Sequence, residues 1–276
     1  MDFKRYLEEN AKNIDQELDL ILSDFLNETK KTNIKLVPFA LGFLNACKGG
    51  KRIRGVLVKL GFEIASPFDK LRARNDVVRV GAALEILHTA LLIHDDIMDK
   101  SPTRRGQPAL HEALGGGHLG MSQAISLGDI GLYLPIRIIT ESNFPGEYKL
   151  EALKCLSQTL INTGWGQIMD MEKGDIEFVN LYKTAKYTIA GPLQIGAILA
   201  GVDNQLLGKL GEFGESLGIA YQIRDDMLDG EEVDITLQDA VEYILKAKSL
   251  IADITEDKKF SKLLTEMADF LIERKL

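Results

Sequence analysis

The sequence predicts an all-α protein organised as a single domain over residues 1–276. Three observations carry that reading. Apolar residues recur at three- and four-residue steps, strand-like alternation is nearly absent, and no low-complexity linker or fixed-period repeat divides the chain. In residues 3–27, Phe3, Tyr6, Leu7, Ile14, Leu18, Ile21 and Phe25 follow the helical period. Residues 51–65 and 76–99 are strongly apolar, and Asn75-Asp76 offers the second stretch an N-cap. Further helical stretches run over about 121–141, 147–172, 178–201, 204–229 and 236–274, with Asn143-Phe144-Pro145-Gly146 as a turn between two of them.

The stretch 76–99 is apolar on almost every side, from Val77 and Val80 through Leu84 and Leu87 to Ile93, so it belongs in the middle of a bundle. Yet it ends in Asp95-Asp96-Ile97-Met98-Asp99, and the stretch 204–229 ends in Asp225-Asp226-Met227-Leu228-Asp229. Aspartates four apart share a helix face, and like charges at that spacing cost roughly 0.2–0.5 kcal/mol a pair in the absence of a cation. Two such clusters facing each other across a bundle would form an oxygen-rich cage suited to Mg²⁺, which in turn holds phosphates. His88, Asp95 and Asp99 fall on one stripe, with Leu91 and Leu87 one and two turns below Asp95: a charged mouth above an apolar shaft. In the second stretch Gly211, Gly214, Gly218, Gln222, Asp225 and Asp229 descend one face. An interior glycine costs roughly 1 kcal/mol against alanine, so the stripe serves either close helix packing or space for an apolar ligand.

A metal-bound diphosphate also needs direct cationic contacts, from the guanidinium fork or the lysine point charge. Gly49-Gly50-Lys51-Arg52-Ile53-Arg54 supplies three charges after two glycines, and Arg104-Arg105-Gly106 follows the first aspartate cluster. The 45% apolar and 27% charged composition is that of a soluble globular protein, and the net charge of −8 argues against nonspecific nucleic-acid binding. Two cysteines, Cys47 and Cys155, without metal-ligand spacing, suggest a reducing compartment, and a cytoplasmic location is expected. The opening MDFKRYLEENAKNID is charged and amphipathic, unlike a signal peptide. No apolar run reaches about 18 residues, so no membrane span is expected.

Five ordered segments resemble the trans-isoprenyl diphosphate synthases, the polyprenyl synthetase family that includes farnesyl and geranylgeranyl diphosphate synthases. They are GGKRIR (49–54), HTALLIHDDIMDKSPTRRG (88–106), GQIMD (166–170), KTAKY (183–187) and GIAYQIRDDMLD (218–229). The resemblance implies an isoprenoid synthase type I bundle of antiparallel helices around a deep central cavity, usually as a homodimer. It implies that Lys51, Arg54, His88 and Arg105 hold the diphosphate of isopentenyl diphosphate. Asp95, Asp99 and Asp225 would coordinate Mg²⁺, three ions by resemblance, bound to the allylic prenyl diphosphate. Asp96, Asp226 and Asp229 would support that cage. Arg104, Lys183, Thr184 and Gln222 would contact the allylic diphosphate, and Gln167 and Asp170 would line the reaction zone.

The implied reaction is a head-to-tail condensation by a prenyltransferase, and the chemistry needs no nucleophilic triad or redox motif. Metal ions and basic side chains stabilise the departing diphosphate, and an allylic cation forms in a water-excluding pocket. The double bond of isopentenyl diphosphate then attacks, and the departing diphosphate takes the proton. A bulky aromatic four or five residues before the first aspartate tends to give short products in this family. Here those positions are Leu91 and Ala90, so small Ala90 favours a product of C20 or longer extending down the Leu91–Leu87 shaft.

Two departures stand out. GGKRIR is followed by Gly55 where the family usually has proline, and Gly230-Glu231-Glu232-Val233-Asp234 follows the second cluster where a longer tail with a Gly-Lys loop is usual. They keep open a noncatalytic or regulatory subunit of a heteromeric synthase. A terpene cyclase of the same fold class is disfavoured by the GGKRIR and RRG segments, which serve a second diphosphate.

Overall fold

The regular spacing of apolar residues in the first stretch produces one long helix, α1 (Phe3–Thr32), which runs past its apolar stripe into a polar, lysine-tipped end. A 3₁₀ turn (Ile34–Leu36) leads into α2 (Val37–Ala46), which carries proline in its first turn. Then come α3 (Ile53–Ala65) and α4 (Ala73–Met98). A hairpin follows, with β1 (Thr103–Arg104) antiparallel to β2 (Gln107–Pro108). Arg105 and Gly106 connect them with φ of 52° and 73°, the doubly left-handed linkage that matches strand twist. Next are α5 (Leu110–Ala113), α6 (Gly117–Glu141), α7 (Gly146–Met171) and α8 (Ile176–Val179). A π-helix (Asn180–Ala190) then runs directly into α9 (Gly191–Ala200), followed by α10 (Asn204–Asp229), α11 (Leu237–Ser249), α12 (Ile251–Ile254) and α13 (Lys258–Ile272). This computed structural model describes residues 2–66, 73–229 and 236–272; Gly230–Asp234, the second departure from the family pattern, and the side chain of Asp229 lie outside what is described.

Three sequence expectations need correction. The stretch 178–201 is not one α-helix, because its centre winds as a π-helix. The stretch 236–274 is broken at Leu250 and again at 255–257. Thr236 and Asp239 cap one another reciprocally at the start of α11, a box that satisfies two otherwise unpaired N–H groups. The helix holding the first cluster begins three residues before the expected cap. Asp76 therefore sits in its first turn, where a carboxylate suits the helix dipole, and accepts from Asn143 Nδ2 at 3.1 Å.

The described chain divides into two compact units: residues 1–10, 56–77 and 143–276 form one, and residues 11–55 and 78–142 the other. In the first, α3 and α9 cross backbone to backbone. A Cβ added at Gly196 would lie 1.9 Å from the Val58 carbonyl oxygen, and one at Gly61 would lie 2.0 Å from that of Leu193. In the same unit α10 presses its glycine stripe onto the π-helix: a Cβ at Gly214 would lie 2.5 Å from Ala190 Cα, and one at Gly218 would lie 2.5 Å from Ala185 Cα. Of the two readings of that stripe, close packing is the one the structure supports.

In the second unit α4 is the central element, with Val80, Ala82, Ala83, Ile86 and Ala90 wholly buried. Among the described residues α4 holds the one stretch long and apolar enough to cross a membrane, Asn75–Met98. Its most apolar window is 72% buried, which marks it as a core helix. Backbone contact at the α3–α9 crossing leaves no room for a methyl group. Gly196→Ala is expected to destabilise the protein by about 1–3 kcal/mol, read as a lower thermal midpoint; an unchanged midpoint would contradict this packing.

Candidate active site

At the end of α4 the three aspartates separate by direction, because each residue turns about 100° from the last. Asp95 and Asp99 share a side; Asp99 is exposed and Asp95 half-buried, while Asp96 is turned inward and only 3% exposed. Arg104, presented by the β1–β2 hairpin, donates from Nε to Asp96 Oδ1 at 2.8 Å, and its Nη2 bonds the same oxygen. That Nη2 also lies 3.5 Å from Asp95 Oδ2. Burial works against the Arg104 charge, but the hydrogen bond to Asp96 and the charges of Asp96, Asp95 and Asp99 outweigh it and raise its pKa. Arg104, expected to contact an allylic diphosphate, is thus anchored on Asp96 in this structure.

The basic loop of the same unit is shaped by two glycines. Gly49 and Gly50 have φ of 76° and 99°, and a Cβ at Gly50 would lie 3.2 Å from Arg105 Nη2. Arg105 Nη1 donates to the Lys48 carbonyl at 2.9 Å, so loop and hairpin hold one another. Arg52, itself at φ 56°, is buried; it donates from Nε to Asp15 Oδ1 at 2.6 Å and from Nη2 to the Cys47 carbonyl at 3.1 Å. It is the anchor of the loop, and leaves Lys51 exposed and Arg54 half-buried beside it.

His88 lies among these guanidiniums. Burial, and then the positive charges of Arg54, Arg105, Arg104 and Arg52, hold its pKa well below 6.5, so the imidazole is neutral at pH 7. Next to the cluster, a cavity of about 370 Å³ is lined in part by Lys48, Gly49, Thr89, Asp96, Arg104 and Arg105.

Glu85 and Asp15 are the functional neighbours that sequence reasoning missed. Glu85, 4% exposed, accepts the Gly55 N–H at 2.8 Å. A lone carboxylate in an otherwise apolar helix was the available signal. The bond also explains the departure at Gly55: proline has no N–H to donate, and a Cβ there would lie 2.9 Å from the Gly81 carbonyl oxygen. Asp15, far away in sequence, carried no signal.

In the other unit Gly166 lets α7 meet the π-helix, since a Cβ there would lie 2.3 Å from Lys183 N. The contact brings Lys183 Nζ to 2.5 Å from Asp170 Oδ2. Gln167 Nε2 is buried without a hydrogen-bond partner among the described residues, and Thr184 is half-buried on the π-helix. On α10, Asp226 is 8% exposed and accepts from Gln222 Nε2, while Asp225 remains half-buried. The second cluster therefore repeats the first: the middle aspartate turns inward to a fixed partner. Gln222, expected to reach the diphosphate, bonds Asp226 in this structure.

The reading of the chain-length shaft is corrected at one position. Ala90 is wholly buried beside Gly131 of α6, where an added Cβ would lie 2.8 Å from Ala90 Cβ. Its small size serves that helix crossing. Leu87 is 1% exposed, and Leu91, one turn below Asp95, is half-buried.

Among the described residues no group of three His, Cys, Asp or Glu side chains could hold a metal ion by itself. Mg²⁺ does not require one, since it is commonly held by one or two carboxylates plus substrate phosphates and water. Asp95 and Asp99, on one helix face, fit that mode.

A family model described as polyprenyl synthetase matches residues 42–267. The chain is 31% identical over 229 residues to the geranylgeranyl diphosphate synthase of Sulfolobus acidocaldarius, covering 76% of this chain and 66% of that protein. It is 35% identical over 188 residues to the short chain isoprenyl diphosphate synthase of Methanothermobacter thermautotrophicus, covering 66% and 54%. It is 33% identical over 201 residues to the farnesyl diphosphate synthase of Geobacillus stearothermophilus, covering 66% and 63%. The matches thus span from about half to just under two thirds of these relatives' lengths. The crystal structure of a geranylgeranyl pyrophosphate synthase from Corynebacterium glutamicum, complexed with isoprenyl diphosphate and magnesium, superposes with a TM-score of 0.82 over all of both chains. At 22% identity it shows the shared all-α fold. A geranylgeranyl pyrophosphate synthetase from the archaeon Geoglobus acetivorans gives a TM-score of 0.76 at 25% identity, over 95% of this chain and 99% of that one.

The depressed pKa of His88 has a measurable sign. Below about pH 6.5 the unfolded chain protonates this side chain while the folded protein does not, so stability falls as pH falls through that range. Between pH 7 and pH 5 the ligand-free wild type should lose more stability than His88→Gln, by at most about 1.4 kcal/mol per pH unit below 6.5, as read from urea unfolding. Equal losses would place a proton on His88 in the fold.

Proposed function

The chain belongs to the polyprenyl synthetase family, and from that premise we propose that it is an Mg²⁺-dependent prenyltransferase. It would join isopentenyl diphosphate head to tail to an allylic prenyl diphosphate. The observation that carries this reading is the arrangement of the two Asp-Asp-x-x-Asp motifs. Each turns its middle carboxylate inward, Asp96 to Arg104 and Asp226 to Gln222, while Asp95 and Asp225 are half-buried and Asp99 is exposed, within reach of a cation.

We assign Asp95, Asp99 and Asp225 to Mg²⁺, with three ions per reaction centre, and Asp96, Asp226 and Asp229 to the support of those ligands. When bound, the metal would supply neutralisation of the charge that grows on the departing diphosphate. Lys51, Arg54 and Arg105 would bind the diphosphate of isopentenyl diphosphate, and neutral His88 would add one N–H donor rather than another charge. Lys183, Thr184 and Arg104 would meet the allylic diphosphate, with Gln222 reaching it from its bond to Asp226. Lys183 is held by Asp170 at 2.5 Å, so the incoming diphosphate would compete with that carboxylate for it. Gln167 Nε2, unpartnered among the described residues, would donate into the reaction zone. Leu91 and Leu87 would exclude water from the allylic cation, and no side chain is needed as base because the departing diphosphate takes the proton.

The product is C20 or longer in this reading. Its support is the absence of an aromatic residue at positions 90 and 91, with Leu91 now the position that matters. The working form would be a cytoplasmic homodimer; exposed Leu119 and Tyr133 on α6, at 68% and 69%, suit a protein interface.

Diphosphate release measured with both substrates tests the activity. Wild type is expected to turn over only with Mg²⁺. Asp95→Ala and Asp225→Ala are each expected to lower kcat roughly a thousandfold, about 4 kcal/mol of barrier. Release from the allylic substrate alone would indicate a cyclase, and tight binding without release would indicate a noncatalytic subunit. Chromatography after reaction with farnesyl diphosphate tests the length; C15 as the sole product from shorter primers would refute it.

A further inference from the structure

The corner where α1 turns into α2 combines features that the proposed activity does not use. The 3₁₀ turn there buries none of its residues. Ile34 is 70% exposed, the most exposed of the molecule's described large aliphatic side chains, and Leu36 and Leu41 are 42% and 49% exposed. Soluble surfaces tolerate single exposed aliphatics, but three between positions 34 and 41 form a local concentration. Three exposed lysines, Lys30, Lys31 and Lys35, bracket and interrupt it. This occurs in a chain whose net charge is −8, so the corner is basic against the sign of the whole. The nearest carboxylate before it on α1, Glu28, is engaged by Arg137 at 2.8 Å.

The corner is also held in shape. Asn33 Oδ1 accepts the Lys35 N–H at 2.9 Å, Leu36 N donates to the Asn33 carbonyl at 3.0 Å, and Asn33 N donates to the Thr29 carbonyl at 3.0 Å. Beneath it Phe25 of α1 packs edge-on against Phe43 of α2 with centroids 5.9 Å apart, and Phe43 is wholly buried. The apolar side chains thus stand outward from a braced turn.

Exposed aliphatics ringed by lysines match the two layers of an anionic bilayer surface: headgroup charge outside, acyl chains beneath. We propose that this corner is a docking site for an anionic lipid surface, with Ile34, Leu36 and Leu41 entering the headgroup–acyl boundary and Lys30, Lys31 and Lys35 meeting lipid phosphates. The inference does not depend on the catalytic reading, since it rests on exposure and charge in one unit and is measured without turnover.

The test is co-sedimentation of the full chain with vesicles of phosphatidylcholine, with and without phosphatidylserine. The chain should pellet with the mixed vesicles only, and less as salt rises. Replacing Lys30, Lys31 and Lys35 together by Gln should lower the partition coefficient roughly a hundredfold, about fivefold per lysine. Ile34→Ser with Leu36→Ser should also lower it, on the same vesicles. All of these side chains are exposed, so both variants should keep the wild-type circular dichroism and thermal midpoint, and the lysine set leaves the apolar residues untouched as an independent check. Absence of pelleting with anionic vesicles, or pelleting that both variants retain, overturns the proposal. So does self-association of the wild type that Ile34→Ser abolishes, because a second copy would then be the occupant.

Discussion

The ion pair between Arg104 and Asp96 sets the order of everything at the end of α4. Asp96 is almost wholly buried, and a buried carboxylate is stable only with a charged or strongly hydrogen-bonding partner. Arg104 provides that partner through two nitrogens, and being on a hairpin it ties β1 and β2 to the helix. The adjacent Arg105 is then fixed over Gly49 and Gly50, which draws the basic loop alongside. Removing one member of a fully buried pair costs about 3–5 kcal/mol. Here the cost is smaller, because Arg104 is 37% exposed, and it falls mainly on loss of Arg104, which would strand the buried Asp96 carboxylate. The same economy recurs at Asp226, whose inward partner is the neutral amide of Gln222. Two unrelated partners perform one task, holding the middle carboxylate of each motif inward.

Charge around His88 is balanced rather than merely positive. Arg52 is neutralised by Asp15 and Arg104 by Asp96. The basic loop is further fixed by the Glu85 carboxylate, which accepts a backbone N–H rather than leaving the first turn of α3 unsatisfied. A site so arranged can take a diphosphate without carrying the full repulsion of four guanidiniums while empty. The tie between Lys183 and Asp170 has the same character in the other unit.

Much of this was legible in the sequence because it depends on spacing within single helices. Aspartates at positions one, two and five of a motif must divide between two directions on a helix. That Asp95 and Asp96 face differently was thus readable from spacing, while the roles expected of them came from the family resemblance. The apolar surround of α4 likewise foretold a central helix. What was not legible depends on contacts between distant segments. Asp15 lies far from Arg52 in sequence, and nothing in residues 180–190 announces a π-helix, which forms where α7 and α10 press in through Gly166, Gly214 and Gly218. Ala90 was misread for the same reason: its neighbour Gly131 lies on α6, so its small size answered to packing and not to a ligand. The short hairpin escaped notice because two-residue strands carry no period.

The central claim of the proposed function is that Asp95, Asp99 and Asp225 bind metal while Asp96 and Asp226 brace the fold. Calorimetric titration of Mg²⁺ in the presence of a nonreactive allylic diphosphate analogue, paired with thermal melts, compares Asp95→Asn with Asp96→Asn most directly. The account predicts that Asp95→Asn abolishes the metal-dependent binding at an unchanged melting temperature, while Asp96→Asn lowers the melting temperature and keeps most of the binding. The reverse pattern would contradict it.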